Sequence, residues 1–143
     1  MSHLILLVED NPSDIKLTKR AFKKSNLTNE LQVVTDGAEA LEFLFAQDDG
    51  DYKNPLPILI LLDIKLPKVD GLEVLERIRH AERTALLPVV ILTSSKEQED
   101  MIRSYRLGAN SYIRKPVDFE QFVEAIQQLG LYWMVLNESP FKK

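Results

Sequence analysis

The run Ile-Leu-Ile-Leu-Leu at residues 58–62 is apolar at every position and stops at Asp63. A strand with one wet face alternates apolar and polar residues. A strand without that alternation is covered on both sides, as at the centre of a parallel sheet flanked by helices. The rest of the chain supplies the helices. Residues 4–8 form a second apolar run, followed by Asn11-Pro12-Ser13-Asp14, where Asn11 can cap a helix and Pro12 suits its first turn. Ile15, Thr18 and Phe22 then recur at helical spacing. Residues 31–35 read as a strand, and Ala38, Leu41, Leu44 and Phe45 as the apolar stripe of a second helix. Residues 47–57, rich in Asp, Gly, Asn and Pro, read as an exposed loop. A helix over 71–80 carries Val74, Leu75 and Ile78. It is followed by a strand at 89–92, a helix near 97–107, a short strand at 111–114 and a final helix capped by Asp118.

Strand and helix alternate five times, which predicts one α/β domain with a doubly wound five-stranded parallel sheet and right-handed crossovers. The 143 residues suit a single domain, and the absence of cysteine removes disulfides and thiolate chemistry from consideration. A net charge of −4 gives no electrostatic case for nucleic-acid binding. Lys16, Lys19, Arg20, Lys23 and Lys24 cluster locally, at the spacing of a solvated helix face. The apolar run at 4–8 is too short for a signal peptide or a membrane span, so a cytoplasmic protein with no membrane partner is expected.

Open α/β sheets bind ligands beyond the carboxyl ends of their strands, at the topological switch point. Here the first strand ends in Glu9-Asp10, the third in Asp63, the fourth in Thr93-Ser94, and the fifth runs into Lys115-Pro116. In the flavodoxin-like strand order 2-1-3-4-5 the first and third strands are neighbours, so three carboxylates share one pocket with a hydroxyl and an ammonium opposite. Two carboxylates about 5 Å apart repel by roughly 3 kcal/mol at an effective dielectric near 20. Either a pKa rises or a cation enters, and an oxygen-only donor set favours a hard cation such as Mg²⁺.

Glu9-Asp10, Asp63 within Leu-Leu-Asp-Ile-Lys-Leu-Pro, Gly71, Thr93-Ser94 and Lys115-Pro116 together resemble the receiver domain of two-component response regulators, over residues 4 to about 128. The resemblance implies that Asp63 accepts a phosphoryl group from a sensor histidine kinase. It further implies that Glu9, Asp10, Asp63 and the backbone carbonyl of Lys65 hold Mg²⁺, Glu9 directly or through water. Thr93 and Lys115 would each engage a phosphoryl oxygen, with Tyr112 and Thr93 as the switch pair. Lys65 and Ser95 would flank the route of attacking water. The sequence departs from the commoner pattern at Glu9, which stands where Asp is usual, at the long loop 47–57, and at Ser94.

Beyond a receiver domain at residues 1–130, the final helix pattern runs on through Trp133 and Leu136. Residues 131–136 are apolar all round, which suits a dimer or partner contact through Leu131, Tyr132, Trp133 and Leu136. The chain ends too soon for a following effector domain. Its long loop and Leu-Tyr-Trp ending look similar to response regulators that serve phytochromes. An aspartate-nucleophile phosphatase is disfavoured because Lys65 stands where its general acid is needed, and a nucleotide- or flavin-binding domain because no Gly-rich phosphate loop follows the first strand. The expected protein is a signalling module, not a turnover enzyme. The alternative is a receiver-like interaction module that works without phosphorylation.

Overall fold

A computed structural model describes residues 4–25, 29–115 and 118–130. Five parallel strands make the main sheet: β1 (Ile5–Val8), β2 (Leu31–Val34), β5 (Leu59–Leu62), β6 (Val89–Thr93) and β7 (Ser111–Arg114), in the order β2-β1-β5-β6-β7. Five helices connect or follow them: α1 (Pro12–Lys24), α2 (Gly37–Phe45), α3 (Gly71–His80), α4 (Gln98–Arg106) and α5 (Phe119–Gly130). The expected doubly wound topology is therefore present, with β1 beside β5 and Val8 in register with Leu62.

The apolar run of β5 is divided between two cores. Ile60 and Leu62 face one side with Leu6, Val8, Val89 and Ile91, under Leu44 of α2 and Leu72, Val74, Leu75 and Ile78 of α3. Leu59 and Leu61 face the other side with Ile5, Leu7, Val90 and Leu92. Phe22 of α1 and Phe122, Val123 and Ile126 of α5 cover them. A period of two with both faces covered leaves no position at which a polar residue could sit without an unmatched desolvation cost.

The helix boundaries follow local chemistry. Asn11 Oδ1 accepts from the Ser13 and Asp14 amides at 2.8 and 3.2 Å, with Pro12 in the first turn of α1. Asp36 caps α2 through Glu39 N at 2.7 Å, and Asp118 accepts from Phe122 and Gln121 in the first turn of α5. Two details differ from expectation. In α2 the buried alanine is Ala40, whereas Ala38 is exposed. Residues 47–52 are not plain loop but a small antiparallel hairpin, β3 (Gln47–Asp48) and β4 (Asp51–Tyr52). Its Asp49-Gly50 turn takes positive φ at both positions, which is the Asp-Gly preference of two-residue hairpin turns. Arg83 pins it, with its guanidinium 3.6 Å from the Tyr52 ring centroid and a 2.7 Å hydrogen bond to the Asn54 carbonyl. Strands of two residues are too short for alternation to register.

One close approach positions the acidic edge of the sheet. Gly71, the first residue of α3, donates its amide to the Ile64 carbonyl at 2.8 Å, and a Cβ at this position would overlap the Asp63 carbonyl oxygen. The glycine thus lets α3 start directly against the segment that carries Asp63. Gly71→Ala is expected to destabilise the fold by about 1–3 kcal/mol, the usual cost of overpacking a tight contact. The expected signature is a lower urea midpoint at an unchanged slope, because the defect is local to the native state.

Candidate functional site

Ending four parallel strands at one edge brings their terminal residues together. Glu9 follows β1 and Asp63 follows β5; their amides donate to Val34 and Val8 carbonyls at 3.0 and 3.1 Å, so both are held by the sheet itself. Glu9 is 1% exposed and Asp63 6%, whereas Asp10 is exposed at the rim. One carboxylate oxygen from each of Glu9, Asp10 and Asp63 lies within 4.8 Å of the others. Thr93 closes β6 and is fully buried, its hydroxyl oxygen accepting from the Ser95 amide at 3.3 Å. Lys115 follows β7, tied by its amide to the Thr93 carbonyl at 2.6 Å.

The Lys115 ammonium turns into the acidic group. Its Nζ lies 2.5 Å from Glu9 Oε1, 2.9 Å from Asp14 Oδ2 and 3.4 Å from Asp63 Oδ2. Burial works against this ammonium, but Glu9, Asp14 and Asp63 outweigh it and hold its pKa above the ordinary lysine value. Burial pushes the Glu9 carboxyl from its ordinary 4.5 up to about 7, Asp63 adds to the rise, and Lys115 and the Asn11 amide oppose it. One ammonium thus stands against the carboxylates of Glu9, Asp10, Asp14 and Asp63.

The donor set fits a second, divalent cation. Asp63 Oδ1 is buried with no hydrogen-bond partner, and the pocket offers only oxygen ligands from three acids. A bound cation would satisfy that oxygen and offset both the burial and the Asp63 charge that raise Glu9.

A second polar group lies on the β6–α4 side. Ser95, 8% exposed, donates to Asp100 Oδ2 at 2.6 Å and accepts from the Glu97 amide at 3.3 Å. The Lys65 ammonium, two residues past Asp63, reaches the same Asp100 oxygen at 3.6 Å. The Tyr112 hydroxyl is buried without a hydrogen-bond partner; burial raises its pKa, and Ser95 and Asp100 are among its polar neighbours. Sequence reasoning brought Glu9, Asp10, Asp63, Thr93 and Lys115 to one edge, and the structure has them there. It missed Asp14 and Asp100. Asp14 had a signal available: in the first turn of a helix that starts right after Glu9-Asp10, side chains lean back towards the strand end. Asp100 had none, since nothing local announces a buried acid on a polar helix. Leu131, Tyr132, Trp133 and Leu136 lie outside the described residues.

Comparison with known proteins agrees with this geometry. The family described as response regulator receiver domain matches residues 5–127. The probable methanogenesis regulatory protein FilR2 of Methanothrix harundinacea is 41% identical over 96% of this chain and 87% of its own length. Response regulator Rcp1 of Synechocystis sp. is 40% identical over 92% of this chain and 88% of its own. The Mn²⁺-bound structure of Rcp1 superimposes with a TM-score of 0.84 at 37% identity, covering 96% of this chain and 99% of that one. The phosphorylated cyanobacterial phytochrome response regulator RcpA superimposes with a TM-score of 0.87 at 35% identity, covering 98% and 99%. Fold, acidic edge and relatives agree: the chain belongs to the response regulator receiver domains, the phosphoacceptor modules of two-component signalling.

Proposed function

We propose that Asp63 accepts a phosphoryl group from a phosphohistidine of a sensor histidine kinase in a Mg²⁺-dependent reaction, and that the protein signals through altered protein contacts. The observation that carries this reading is the Asp63 carboxylate. One oxygen leans on the Lys115 ammonium, the other is buried without a partner, and two further carboxylates stand within 4.8 Å. Phosphoryl transfer is mostly positioning and charge neutralisation, and these groups supply both.

In the transfer an Asp63 oxygen bonds to phosphorus while the P–N bond to the kinase imidazole breaks. The imidazole nitrogen keeps the bonding pair. Asp10, Asp63, the Lys65 backbone carbonyl and Glu9, directly or through water, would hold Mg²⁺, which when bound would supply neutralisation of the phosphoryl oxygens. The Thr93 hydroxyl takes one phosphoryl oxygen and Lys115 another.

The output runs through Thr93 and Tyr112 to the face of α4 and α5. On α4, Ile102 and Tyr105 are 44% and 50% exposed, apolar surface on an otherwise polar helix. A homodimer through this face is the contact we assign, extended by residues 131–143 beyond a receiver domain at residues 1–130. The kinase is of phytochrome type in this reading, supported by the likeness to the phytochrome response regulator RcpA. The protein acts as a signalling module in the cytoplasm. Among the described residues no helix is long and apolar enough to cross a membrane.

Incubation with Mg²⁺ and acetyl phosphate is expected to add one labile phosphate mass to the wild type and none to Asp63→Asn. An equal adduct on both proteins would place the phosphoryl group on a residue other than Asp63, and no adduct on either, even with a histidine kinase, would favour the phosphorylation-independent module. Lys115→Ala is expected to take up phosphate slowly and to lose the accompanying rise in dimer fraction, read by light scattering. Mg²⁺ affinity should also depend on Glu9. With its pKa near 7, protonation competes with the cation at lower pH, so the apparent Kd falls as pH rises towards about 7 and levels off above it. In the metal-free protein the sign is opposite for stability. A carboxyl that binds its proton more tightly when folded loses stability as pH rises from 4.5 to about 7. Thermal melts of wild type and Glu9→Gln across that window, with and without Mg²⁺, check both signs.

A further inference from the structure

Asp14 is a charged neighbour of the site that the phosphoacceptor reading leaves unused. It lies in the first turn of α1, and its Oδ2 is 2.9 Å from Lys115 Nζ. An ammonium has three protons to donate, and three carboxylates surround this one. The contacts are unequal. Those to Glu9 and Asp14, at 2.5 and 2.9 Å, fall within charge-assisted hydrogen-bond range, whereas Asp63 stands off at 3.4 Å. In this arrangement Lys115 is committed to the two acids beside it and only leans on the acceptor.

The two committed acids differ in freedom. Glu9 is almost completely buried, and its other oxygen accepts from the Asn11 amide at 3.2 Å, so its carboxylate is held on both sides. The Asp14 side chain is 30% exposed and its contact with Lys115 is reachable by water. Its backbone, in contrast, is pinned: the amide donates to the Asn11 cap at 3.2 Å, and the carbonyl accepts from the buried Thr18 hydroxyl at 2.8 Å. Asp14 is thus a carboxylate delivered to a set position by the α1 cap, with a head group that water can solvate when its partner leaves. Among the three contacts, its bond to Lys115 is the one that can be surrendered without burying a bare charge.

We infer that Asp14 is a positioning residue that holds the Lys115 ammonium on the α1 side of the pocket in the resting protein and releases it when a phosphoryl oxygen arrives at Asp63. The inference rests on the phosphoacceptor reading above. It makes engagement of Lys115 a competition between a carboxylate and the incoming phosphoryl group, so that the resting protein is held back from accepting phosphate. Removing the Asp14 charge leaves the ammonium free to turn towards the acceptor.

The test compares rates of adduct formation with acetyl phosphate at saturating Mg²⁺, by intact mass, for wild type, Asp14→Asn and Asp14→Glu, each with Lys115 present and as Lys115→Ala. Asp14→Asn is expected to react faster, by up to roughly fivefold, the range that loss of a partly exposed ion pair corresponds to. Asp14→Glu, which keeps the carboxylate, should stay nearer wild type, and in the Lys115→Ala background the gain should vanish. A gain that persists without Lys115 would mean simple charge repulsion of the donor and overturns the inference. So does an adduct that forms at equal rates in wild type and Asp14→Asn. A wild type that takes up no phosphate from either acetyl phosphate or a histidine kinase overturns the phosphoacceptor reading itself, and the inference with it. Equal melting midpoints for wild type and Asp14→Asn separate a positioning role from a change in folding.

Discussion

The constraint on which the rest of the structure depends is the meeting of one ammonium with more carboxylate than it can neutralise. Glu9, Asp14 and Asp63 surround Lys115 at the carboxyl edge of a sheet whose central strands β1 and β5 are apolar at every position. Breaking a buried ion pair by removing one partner commonly costs 3–5 kcal/mol, because it leaves a desolvated charge behind. Lys115 therefore stabilises the fold while remaining insufficient for the pocket. The buried Glu9 carboxyl, raised first by desolvation and then by the Asp63 charge, and the partnerless Asp63 oxygen make the site attractive to a divalent cation and reactive towards an anionic group once that cation is present.

The same edge is mechanically coupled to its surroundings. Gly71 lets α3 start against the Asp63 backbone, so Asp63 has a packed helix directly behind it. On the other flank, Lys65 and Ser95 both reach Asp100 of α4, placing one side chain from the acceptor loop and one from the β6–α4 loop on a single carboxylate. The Tyr112 hydroxyl is buried nearby, with Ser95 and Asp100 among its polar neighbours. An added charge at Asp63 would thus act on groups with few alternative partners, the setting in which small local shifts move an element between discrete arrangements.

Much of this could be read in advance, residue by residue. The unbroken apolar run before Asp63 specified a covered parallel strand, and the two cores divide its residues alternately between the faces. Asn11 and Asp118 act locally, so their capping follows from neighbouring residues. The acids, Thr93 and Lys115 were legible as a group because strand ends in such a sheet converge by topology. Where the reading failed, the cause was range. The β3–β4 hairpin is built from two-residue strands and anchored by Arg83, some thirty residues away along the chain. Arg79 is likewise invisible beforehand. It donates to carbonyls of Ala85, Leu87 and Gly108, joining the end of α3 to the turn before β7.

By itself, then, the sequence determined the covered parallel sheet, its strand order and the gathering of acid, hydroxyl and lysine at one edge, because periodicity and crossover handedness are properties of the chain's local chemistry. Only the tertiary structure decided which carboxylates Lys115 pairs with, that Asp14 is among them, and that Asp63 keeps an unpaired oxygen. Those depend on distances of a few tenths of an ångström between side chains from different elements. Packing sets such distances, and no local pattern encodes them.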